Sequence, residues 1–193
     1  MILLASQSPR RAELLRQLNV DFERVAAEID EQPLVNEKPD DYTLRMAIEK
    51  AQKGQATELA QQSNKPILAA DTSVVVEQTI LGKPQDRQDS LRMLSLLSGR
   101  EHKVLCAVAV YGKNGLKTAL VETRVTFKRL TQAEMDWYWE SGEPLDKAGS
   151  YAIQGLGGQF VQLIQGSYSA VVGLPLFETA ELLQAAGIKL HER

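Results

Sequence analysis

The sequence predicts an α/β protein in which short strands alternate with amphipathic helices. Three features carry this prediction. The run "PILAADTSVVVEQ" has the continuous apolar character of a fully buried strand. The tetrapeptide "GKNG" between two β-rich runs is a strong hairpin signal, and the intervening segments repeat apolar residues at helical spacing. We expect parallel pairing among the early strands and antiparallel pairing in the middle.

The early part of the chain predicts strand, helix, strand and helix. Residues 2–5 form a short apolar run typical of a strand. Ser8 is a favourable N-cap, and Pro9 then takes the first helical position, where its missing N–H costs nothing. Residues 22–27 predict a second strand. Residues 39–62 predict one long helix with its apolar side chains on one face.

The later elements are marked by turn and capping signals. The motif "ILGKP" predicts a turn, and residues 89–97 predict a helix that Gly99 ends. Residues 102–111 and 116–128 are the two strands of the hairpin. Thr131 and Glu134 form a capping box that opens a further helix. The segment "GLGGQFVQLIQG" predicts a glycine-rich loop before a strand, and a last helix runs from Pro175 to Gly187.

Length, composition and charge narrow the class of protein. The 193 residues fit a single domain with two lobes, the second drawn largely from residues 100–165. A formal net charge of -3 argues against a general nucleic-acid binder, which is usually basic. Membrane-length apolar runs and a signal peptide are both lacking, and one cysteine, Cys106, cannot form an internal disulfide. We expect a cytoplasmic protein with no membrane or nucleic-acid partner.

Asp71 is the most unusual residue, because it interrupts the apolar run "ILAADTSVVV". An ionised carboxylate among buried neighbours is costly unless it is paired, hydrogen-bonded or bound to a metal. One interpretation is that Asp71 ends the strand and caps a turn. The other is that it serves as a metal ligand or general base on a rigid strand.

Asp30 and Glu31 form a pair of adjacent acidic residues, in a loop beside a proline. Acid pairs of this kind are usually solvated surface residues. If the fold brings this loop to Asp71, the carboxylates would make a hard-oxygen site suited to Mg²⁺ or Mn²⁺.

Cations recur near loops and strand ends, at Arg10, Arg11, Lys50, Lys53 and Lys83. Arginine offers a planar fork suited to phosphate oxygens, and lysine offers a compact charge. The two arginines stand at the start of a helix, where the macrodipole is already positive, so we expect an anion there. Each lysine by itself is more often a solvated side chain.

Other mechanisms fit the sequence less well. His102 and His191 are the only histidines, which disfavours a zinc site. Cys106 lies in a buried-looking run and is typical of a core residue. The P-loop motif is missing, and "GLGG" leads into a strand, the wrong context for a dinucleotide fold. The residues by themselves predict an α/β protein suited to a metal-bound phosphate ester and do not name the substrate.

Motifs spread over nearly the whole chain are more specific as an ordered set than one by one. They are "LASQSPRR", "EIDE", "AIEKA", "AADTSVVV", "LGKP", "LSGREHKVLCAVAV", "DKAGSYAIQGLGGQFV" and "GSYSAVVGLPLFET". In these motifs the sequence resembles the Maf family of nucleoside triphosphate pyrophosphatases. The resemblance implies an elongated mixed sheet with flanking helices and two lobes around a deep cleft, similar to inosine triphosphate pyrophosphatases. It also implies metal-dependent cleavage between the α and β phosphates, and a homodimer.

The same resemblance implies roles for individual residues. Asp71 would accept a proton from the attacking water, and Glu31 with Asp71 would hold a divalent cation, Mg²⁺ or Mn²⁺. Lys50, Lys83 and Arg11 would neutralise the triphosphate and the charge that develops on the pyrophosphate.

Substrate-binding positions resemble the dTTP/UTP branch of the family. Ser6 lies in a turn that would present hydroxyls and backbone N–H groups at a helix N-terminus, a natural anion seat. The positions linked to base preference match that branch as Arg10, Thr72 and Gln154. The Gln154 amide can both donate and accept, which suits the O4 and N3–H edge of uracil or thymine.

Two alternatives stay open at this point. The leading hypothesis includes modified pyrimidine nucleotides beside dTTP and UTP. The first alternative is a pyrophosphatase of the same family that acts on 7-methyl-GTP or on other modified nucleotides. That sister branch typically has Trp, Gln and Glu at the three base-preference positions, and this sequence has none of them. The second is a nucleotide-binding regulator of cell division, in which hydrolysis is incidental.

Overall fold

The computed structural model describes residues 1–190, so His191 lies outside the described part of the chain. The strands are Ile2–Leu4 (β1), Phe22–Arg24 (β2), Ile67–Val76 (β3), Thr79–Leu81 (β4), Glu101–Gly112 (β5), Gly115–Phe127 (β6) and Val161–Gln165 (β7). The α-helices are Pro9–Gln17 (α1), Pro39–Gln55 (α2), Glu58–Ser63 (α3), Arg87–Leu97 (α4), Gln132–Glu140 (α5), Tyr168–Val172 (α6) and Leu176–Ala185 (α7). Short 3-10 helices occupy Glu143–Asp146, Ala148–Ser150 and Leu156–Phe160.

Within residues 1–190 the strands form one seven-stranded sheet in the order β2-β1-β3-β5-β6-β7, with β4 paired to β3. Strand β1 pairs in parallel with both β2 and β3. Strand β4 runs antiparallel to β3, and β7 runs antiparallel to β6. The predicted α/β fold class with a mixed sheet is therefore confirmed, as are the parallel pairs early in the chain.

Contacts divide the chain into two compact units. The first contains Met1–Asp71, Cys106–Val121 and the residues from Gly173 onward, and the second contains Thr72–Leu105 and Glu122–Val172. The two lobes around a deep cleft, which the family resemblance implies, stay a prediction.

The core of the first unit is built from small side chains. Ala47 and Ala51 of α2 share one hydrophobic cluster with Ala5 and with Ala69 of β3, and all four are fully buried. A Cβ atom on Gly54 would lie only 2.9 Å from the Cβ of Ala5, so no larger residue fits there without a shift. Small residues thus let α2 lie close to the sheet.

The core of the second unit is rich in rings. His102 meets Phe127 edge to face with 5.0 Å between ring centroids, and Phe127 meets Tyr151 at 4.7 Å. The Nε2 atom of His102 lies 2.9 Å from the hydroxyl of Tyr151, and the imidazole is only 2% exposed. Burial lowers the pKa of His102 from 6.5 to about 4.

This buried imidazole makes the stability of the protein depend on pH. The unfolded chain takes up a proton at His102 near pH 6.5, whereas the folded protein takes it up only near pH 4. Between these values the unfolded state binds more protons, so the free energy of unfolding falls as the pH falls. We expect urea unfolding at pH 7 and pH 5 to differ by about 2 kcal/mol more in the wild type than in His102→Gln. An equal pH dependence in the two proteins would contradict this assignment.

The single helix predicted over residues 39–62 is wrong, because the structure divides it into α2 and α3. Thr57 takes an extended conformation, its hydroxyl accepts a hydrogen bond from the backbone N–H of Ala60, and it donates one to the carbonyl of Gly54. This residue therefore closes one helix and opens the next. Leu59, which falls on the apolar face of the longer predicted helix, is 39% exposed as a result.

Besides the three 3-10 helices, a short strand and a short α-helix were not predicted from the sequence. Strand β4 overlaps the predicted turn "ILGKP", because Glu77 takes a positive φ of 57° and turns the chain so that Leu81 pairs with Val74. Helix α6 starts where the hydroxyl of Ser167 accepts a hydrogen bond from the N–H of Ala170 at 3.2 Å. Both elements are too short to show a periodic pattern.

Other local predictions are confirmed. Ser8 caps α1, and Thr131 with Glu134 forms the capping box of α5. The hairpin joins β5 to β6, and Cys106 is fully buried in β5. Among residues 1–190, none of the helices has the length and apolar character needed to cross a membrane.

Candidate active site

The start of helix α1 forms one side of the candidate site. Ser8 caps the helix with its hydroxyl, which accepts a hydrogen bond from the backbone N–H of Arg11 at 3.4 Å, and Pro9 follows in the first turn. No acidic side chain lies in that first turn. The partial positive charge at the N-terminus of the helix is therefore not neutralised by a carboxylate of its own first turn.

Arg11 folds back over the turn that precedes its helix. Its Nε donates to the carbonyl of Gly173 at 2.9 Å, and its Nη1 donates to the hydroxyl of Ser6 at 3.3 Å. Arg10 is partly exposed and, one residue earlier, projects about 100° away around the helix axis. The two adjacent arginines thus face different surroundings.

The predicted anion seat around Ser6 needs a correction. The backbone N–H of Ser8 donates to the hydroxyl of Ser6 at 3.2 Å, and that of Arg11 donates to the hydroxyl of Ser8. These two N–H groups make hydrogen bonds within the turn, because serine hydroxyls commonly accept hydrogen bonds from the backbone N–H groups at a helix start. An anion at this place would meet the guanidinium and the serine hydroxyls rather than these two backbone groups.

Lys50, Asp71 and Glu31 meet at a single point. The Nζ atom of Lys50 lies 2.7 Å from Oδ1 of Asp71 and 2.7 Å from Oε1 of Glu31. The side chains of Lys50 and Asp71 are 11% and 12% exposed, whereas that of Glu31 is 49% exposed. One ammonium thus joins a carboxylate at the bottom of the site to one at its surface.

Packing of α2 explains how Lys50 reaches the strand. Gly54 and Lys50 lie one helical turn apart on the same face of α2. Gly54 packs on Ala5 and on Ile67 near the start of β3, and Lys50 then reaches Asp71 further along that strand. The close approach that Gly54 allows brings the lysine stem within hydrogen-bond distance of the carboxylate.

Asp71 lies inside strand β3, which continues to Val76. The interpretation that Asp71 ends the strand and caps a turn is therefore wrong. Strand β1 pairs in parallel beside β3, with Leu4 opposite Leu68. The turn that carries Ser6 therefore leaves β1 towards the same end of the sheet to which β3 carries Asp71.

The acidic loop is tied to α2 by backbone contacts. The hydroxyl of Tyr42 donates to the carbonyl of Glu31 at 2.8 Å, and Arg45 donates to the carbonyl of Gln32 at 3.1 Å. Asp30 makes a local contact, in which its Oδ1 accepts from the backbone N–H of Gln32 at 3.0 Å. Of the predicted acidic pair, it is therefore Glu31 that meets Lys50 and Asp71.

The potential around these carboxylates is negative. Burial raises the pKa of Tyr42 to about 12, and the charges of Asp71 and Glu31 add to the effect. Two carboxylates and one ammonium carry a net charge of one negative unit. A cation that approaches the site is therefore favoured.

The donor set fits a divalent cation that arrives with a phosphate. Mg²⁺ is commonly bound in proteins by one or two carboxylates together with substrate phosphates and water, and Glu31 and Asp71 supply such a pair. Among residues 1–190, no group of three or more His, Cys, Asp or Glu side chains is placed to hold a metal ion.

The remaining predicted residues belong to the second unit. Thr72 follows Asp71 on β3 and is partly exposed, whereas Lys83 is exposed in the segment after β4. Gln154 is exposed in the turn between two 3-10 helices. The first unit thus brings together Ser6 with Arg11, and Glu31 with Lys50 and Asp71; the other three residues lie outside it.

Sequence reasoning missed the residues that hold these groups. Tyr42 and Arg45 anchor the acidic loop, and Tyr138 and Glu143 anchor the loop that carries Gln154. The spacing of Tyr42 and Arg45 on one face of α2 is a signal that could have been used. No comparable signal marks Glu143, because its sequence context does not distinguish it from other acidic residues in loops.

The fold and the site define an α/β protein in which two carboxylates and a lysine converge at a buried strand of the sheet. The parallel strand beside it leads into a helix that begins with two arginines. Residues 1–186 match the family described as Maf-like protein. The chain belongs to this family.

Relatives with assigned names are similar over almost the whole chain. The chain is 52% identical over 192 residues to the dTTP/UTP pyrophosphatase of Pseudoalteromonas atlantica, covering 100% of both proteins. It is 53% identical over 192 residues to the dTTP/UTP pyrophosphatase of Shewanella oneidensis, covering 97% of this chain and 98% of that protein. Among solved structures, it is similar to the Staphylococcus aureus Ham1 protein, with a TM-score of 0.48 and 15% identity over 95% of this chain and 96% of that one.

Proposed function

We propose that this protein is a nucleoside triphosphate pyrophosphatase that hydrolyses dTTP and UTP to the nucleoside monophosphate and pyrophosphate. The observation that carries the proposal is the 52% identity, over the full length, to a protein named dTTP/UTP pyrophosphatase. The convergence of Glu31, Lys50 and Asp71 supports it, because hydrolysis of a phosphoanhydride needs a base for water and cations for phosphate.

Asp71 is the proposed general base. Its carboxylate takes a proton from water, and the water oxygen forms a bond to the α-phosphorus. The bond from this phosphorus to the bridging oxygen breaks, and pyrophosphate leaves with the electron pair. Asp71 then returns its proton to solvent. Its place inside a buried strand supports this role, because a rigid base loses little entropy in the reaction.

Lys50 orients Asp71 and balances charge in the proposed mechanism. Its 2.7 Å hydrogen bond fixes one carboxylate oxygen, and its ammonium lies where negative charge from the substrate would gather. Arg11 supports phosphate binding with a planar fork that its contacts to Ser6 and Gly173 hold in place. Lys83, exposed in the second unit, is proposed as a further phosphate-binding cation.

A divalent cation, Mg²⁺ or Mn²⁺, is the proposed cofactor. Glu31 and Asp71 would hold it together with phosphate oxygens, and it would supply Lewis-acid polarisation of the phosphates. The net negative charge of the site supports this assignment, since the substrate adds further negative charge that must be neutralised.

Gln154, Thr72 and Arg10 are the proposed determinants of base preference. The exposed Gln154 amide can donate to O4 and accept from N3–H of uracil or thymine. Thr72 offers a hydroxyl and a methyl group next to Asp71 on the same strand. A homodimer remains a proposal from the family resemblance, and a cytoplasmic location remains a proposal from the single cysteine.

The proposal is tested by steady-state kinetics with Mg²⁺ or Mn²⁺ and a panel of dTTP, UTP, CTP, GTP and ATP. We expect the highest kcat/KM for dTTP and UTP, and no turnover after the divalent cation is removed by a chelator. A preference for purine triphosphates would contradict the assigned substrates.

A further inference from the structure

The segment Ala152–Gly157, which carries Gln154, is held by two side chains that the mechanism above does not use. The hydroxyl of Tyr138 accepts a hydrogen bond from the backbone N–H of Ala152 at 3.0 Å. It donates to Oε1 of Glu143 at 2.7 Å. The same carboxylate accepts from the N–H groups of Leu156 and Gly157, at 2.9 and 3.0 Å. Both ends of the segment are therefore fixed to one Tyr–Glu pair.

The glycines of "GLGG" are required by this arrangement. A Cβ atom on Gly155 would lie 2.0 Å from a carboxylate oxygen of Glu143, and one on Gly157 would lie 2.6 Å from the hydroxyl of Tyr138. The backbone of the loop therefore wraps directly around the Tyr–Glu pair. The close backbone approach that these glycines allow is made to Glu143 and Tyr138.

The tyrosine of this pair is held by packing, and the glutamate is held by hydrogen bonds. The side chain of Tyr138 is fully buried and packs edge to face on Phe160 with 5.0 Å between ring centroids. Burial raises the pKa of Glu143, but hydrogen bonds from Gly157, Tyr138 and Leu156 outweigh it, and the pKa stays below the ordinary value. Glu143 is thus an ionised acceptor at neutral pH, which makes its hydrogen bonds stronger than neutral ones.

We propose that Glu143, acting together with Tyr138, is a positioning residue for base selection: it fixes the Ala152–Gly157 loop and thereby the direction of the Gln154 amide. This inference rests on the proposed function, in which Gln154 recognises the uracil or thymine edge. An amide discriminates between uracil and cytosine only when it is held in one orientation, because the two bases reverse donor and acceptor at position 4. Neither Glu143 nor Tyr138 needs to touch the substrate.

The test uses Glu143→Gln and Tyr138→Phe in the full chain. In Glu143→Gln the new NH₂ group faces the N–H of one loop residue, so at least one loop hydrogen bond is lost. We expect the ratio of kcat/KM for UTP to that for CTP to fall about five- to tenfold. The loss should come from KM for UTP, with kcat changed less than about twofold. Tyr138→Phe, which leaves the N–H of Ala152 without its acceptor, should lower the ratio in the same direction.

Glu134→Gln is the matched control. Glu134 lies on the same helix as Tyr138 and accepts hydrogen bonds in the capping box, including one from the N–H of Thr131 at 2.8 Å. Loss of the Glu134 carboxylate should lower the melting temperature and leave the ratio of kcat/KM for UTP to that for CTP unchanged. A second readout is amide hydrogen exchange, in which Leu156 and Gly157 should exchange faster in Glu143→Gln than in Glu134→Gln.

The outcomes separate this inference from the proposed function. If the wild type prefers UTP and Gln154→Ala abolishes that preference, but neither Glu143→Gln nor Tyr138→Phe changes it, the positioning role is overturned and the proposed function stands. If Gln154→Ala leaves the preference intact, the inference fails because the loop does not select the base. If the wild type does not hydrolyse UTP, the proposed function and the inference are both overturned.

Discussion

Replacing Asp71 by asparagine is expected to lower kcat for UTP hydrolysis about 10³-fold, within the range of 10²–10⁴ that a general base contributes. Asparagine has nearly the same shape as aspartate, and its amide oxygen can still accept the hydrogen bond from Lys50. It cannot take a proton from water. The loss should therefore appear in kcat, measured as pyrophosphate released per enzyme per second, while the circular dichroism spectrum stays that of the wild type.

Asp136→Asn is the control for this variant. Asp136 is another ion-paired aspartate, bound to Arg87 at 2.5 Å in an exposed pair of the second unit. An exposed ion pair contributes little to stability, and activity should stay within about twofold of the wild type. Near-normal turnover in Asp71→Asn would remove Asp71 from the role of base.

Replacing Lys50 by methionine is expected to give the second largest effect, a fall of about 10²–10³ in kcat/KM for UTP. Methionine keeps much of the length and volume of the lysine stem, so the packing of α2 is little changed. The positive charge that joins Asp71 to Glu31 is lost, and the two carboxylates are left without their shared partner. Unfolding by urea should also show a loss of about 2–3 kcal/mol, near the lower end of the range for breaking a buried pair because Glu31 is half exposed.

Lys53→Met tests the same chemical change on the exposed side of the same helix. Lys53 is exposed and lies three residues after Lys50, and its replacement should change neither kcat/KM nor stability by a measurable amount. Lys50→Arg, which keeps a positive charge, should recover part of the activity. Equal activities in Lys50→Met and Lys53→Met would contradict the role assigned to Lys50.

Local signals predicted much of the fold, because they act over a few residues. The Ser8 cap, the Thr131 and Glu134 capping box and the buried strand β3 are all found where the sequence predicts them. The break at Thr57 was missed because threonine is compatible with a helical pattern. Its hydroxyl contacts to Gly54 and Ala60, which divide the helix, depend on a backbone conformation that the pattern does not specify.

The candidate site could be predicted as a set of residue types and not as a set of contacts. An aspartate inside an apolar run needs a partner, and Asp71 does have a charged one. The identity of that partner, Lys50, follows from the packing of α2 on the sheet, across 21 positions of sequence. Glu143 was missed for a related reason: its importance comes from three hydrogen bonds to segments before and after it, two of which reach 13 and 14 residues further along the chain.

Identification of the products formed from UTP is the most direct test of the proposed activity. The wild-type protein with Mg²⁺ or Mn²⁺ should release UMP and pyrophosphate in equal amounts, and both products should disappear together in Asp71→Asn. Release of UDP and inorganic phosphate would place the cleaved bond between the β and γ phosphates and would contradict the proposed reaction.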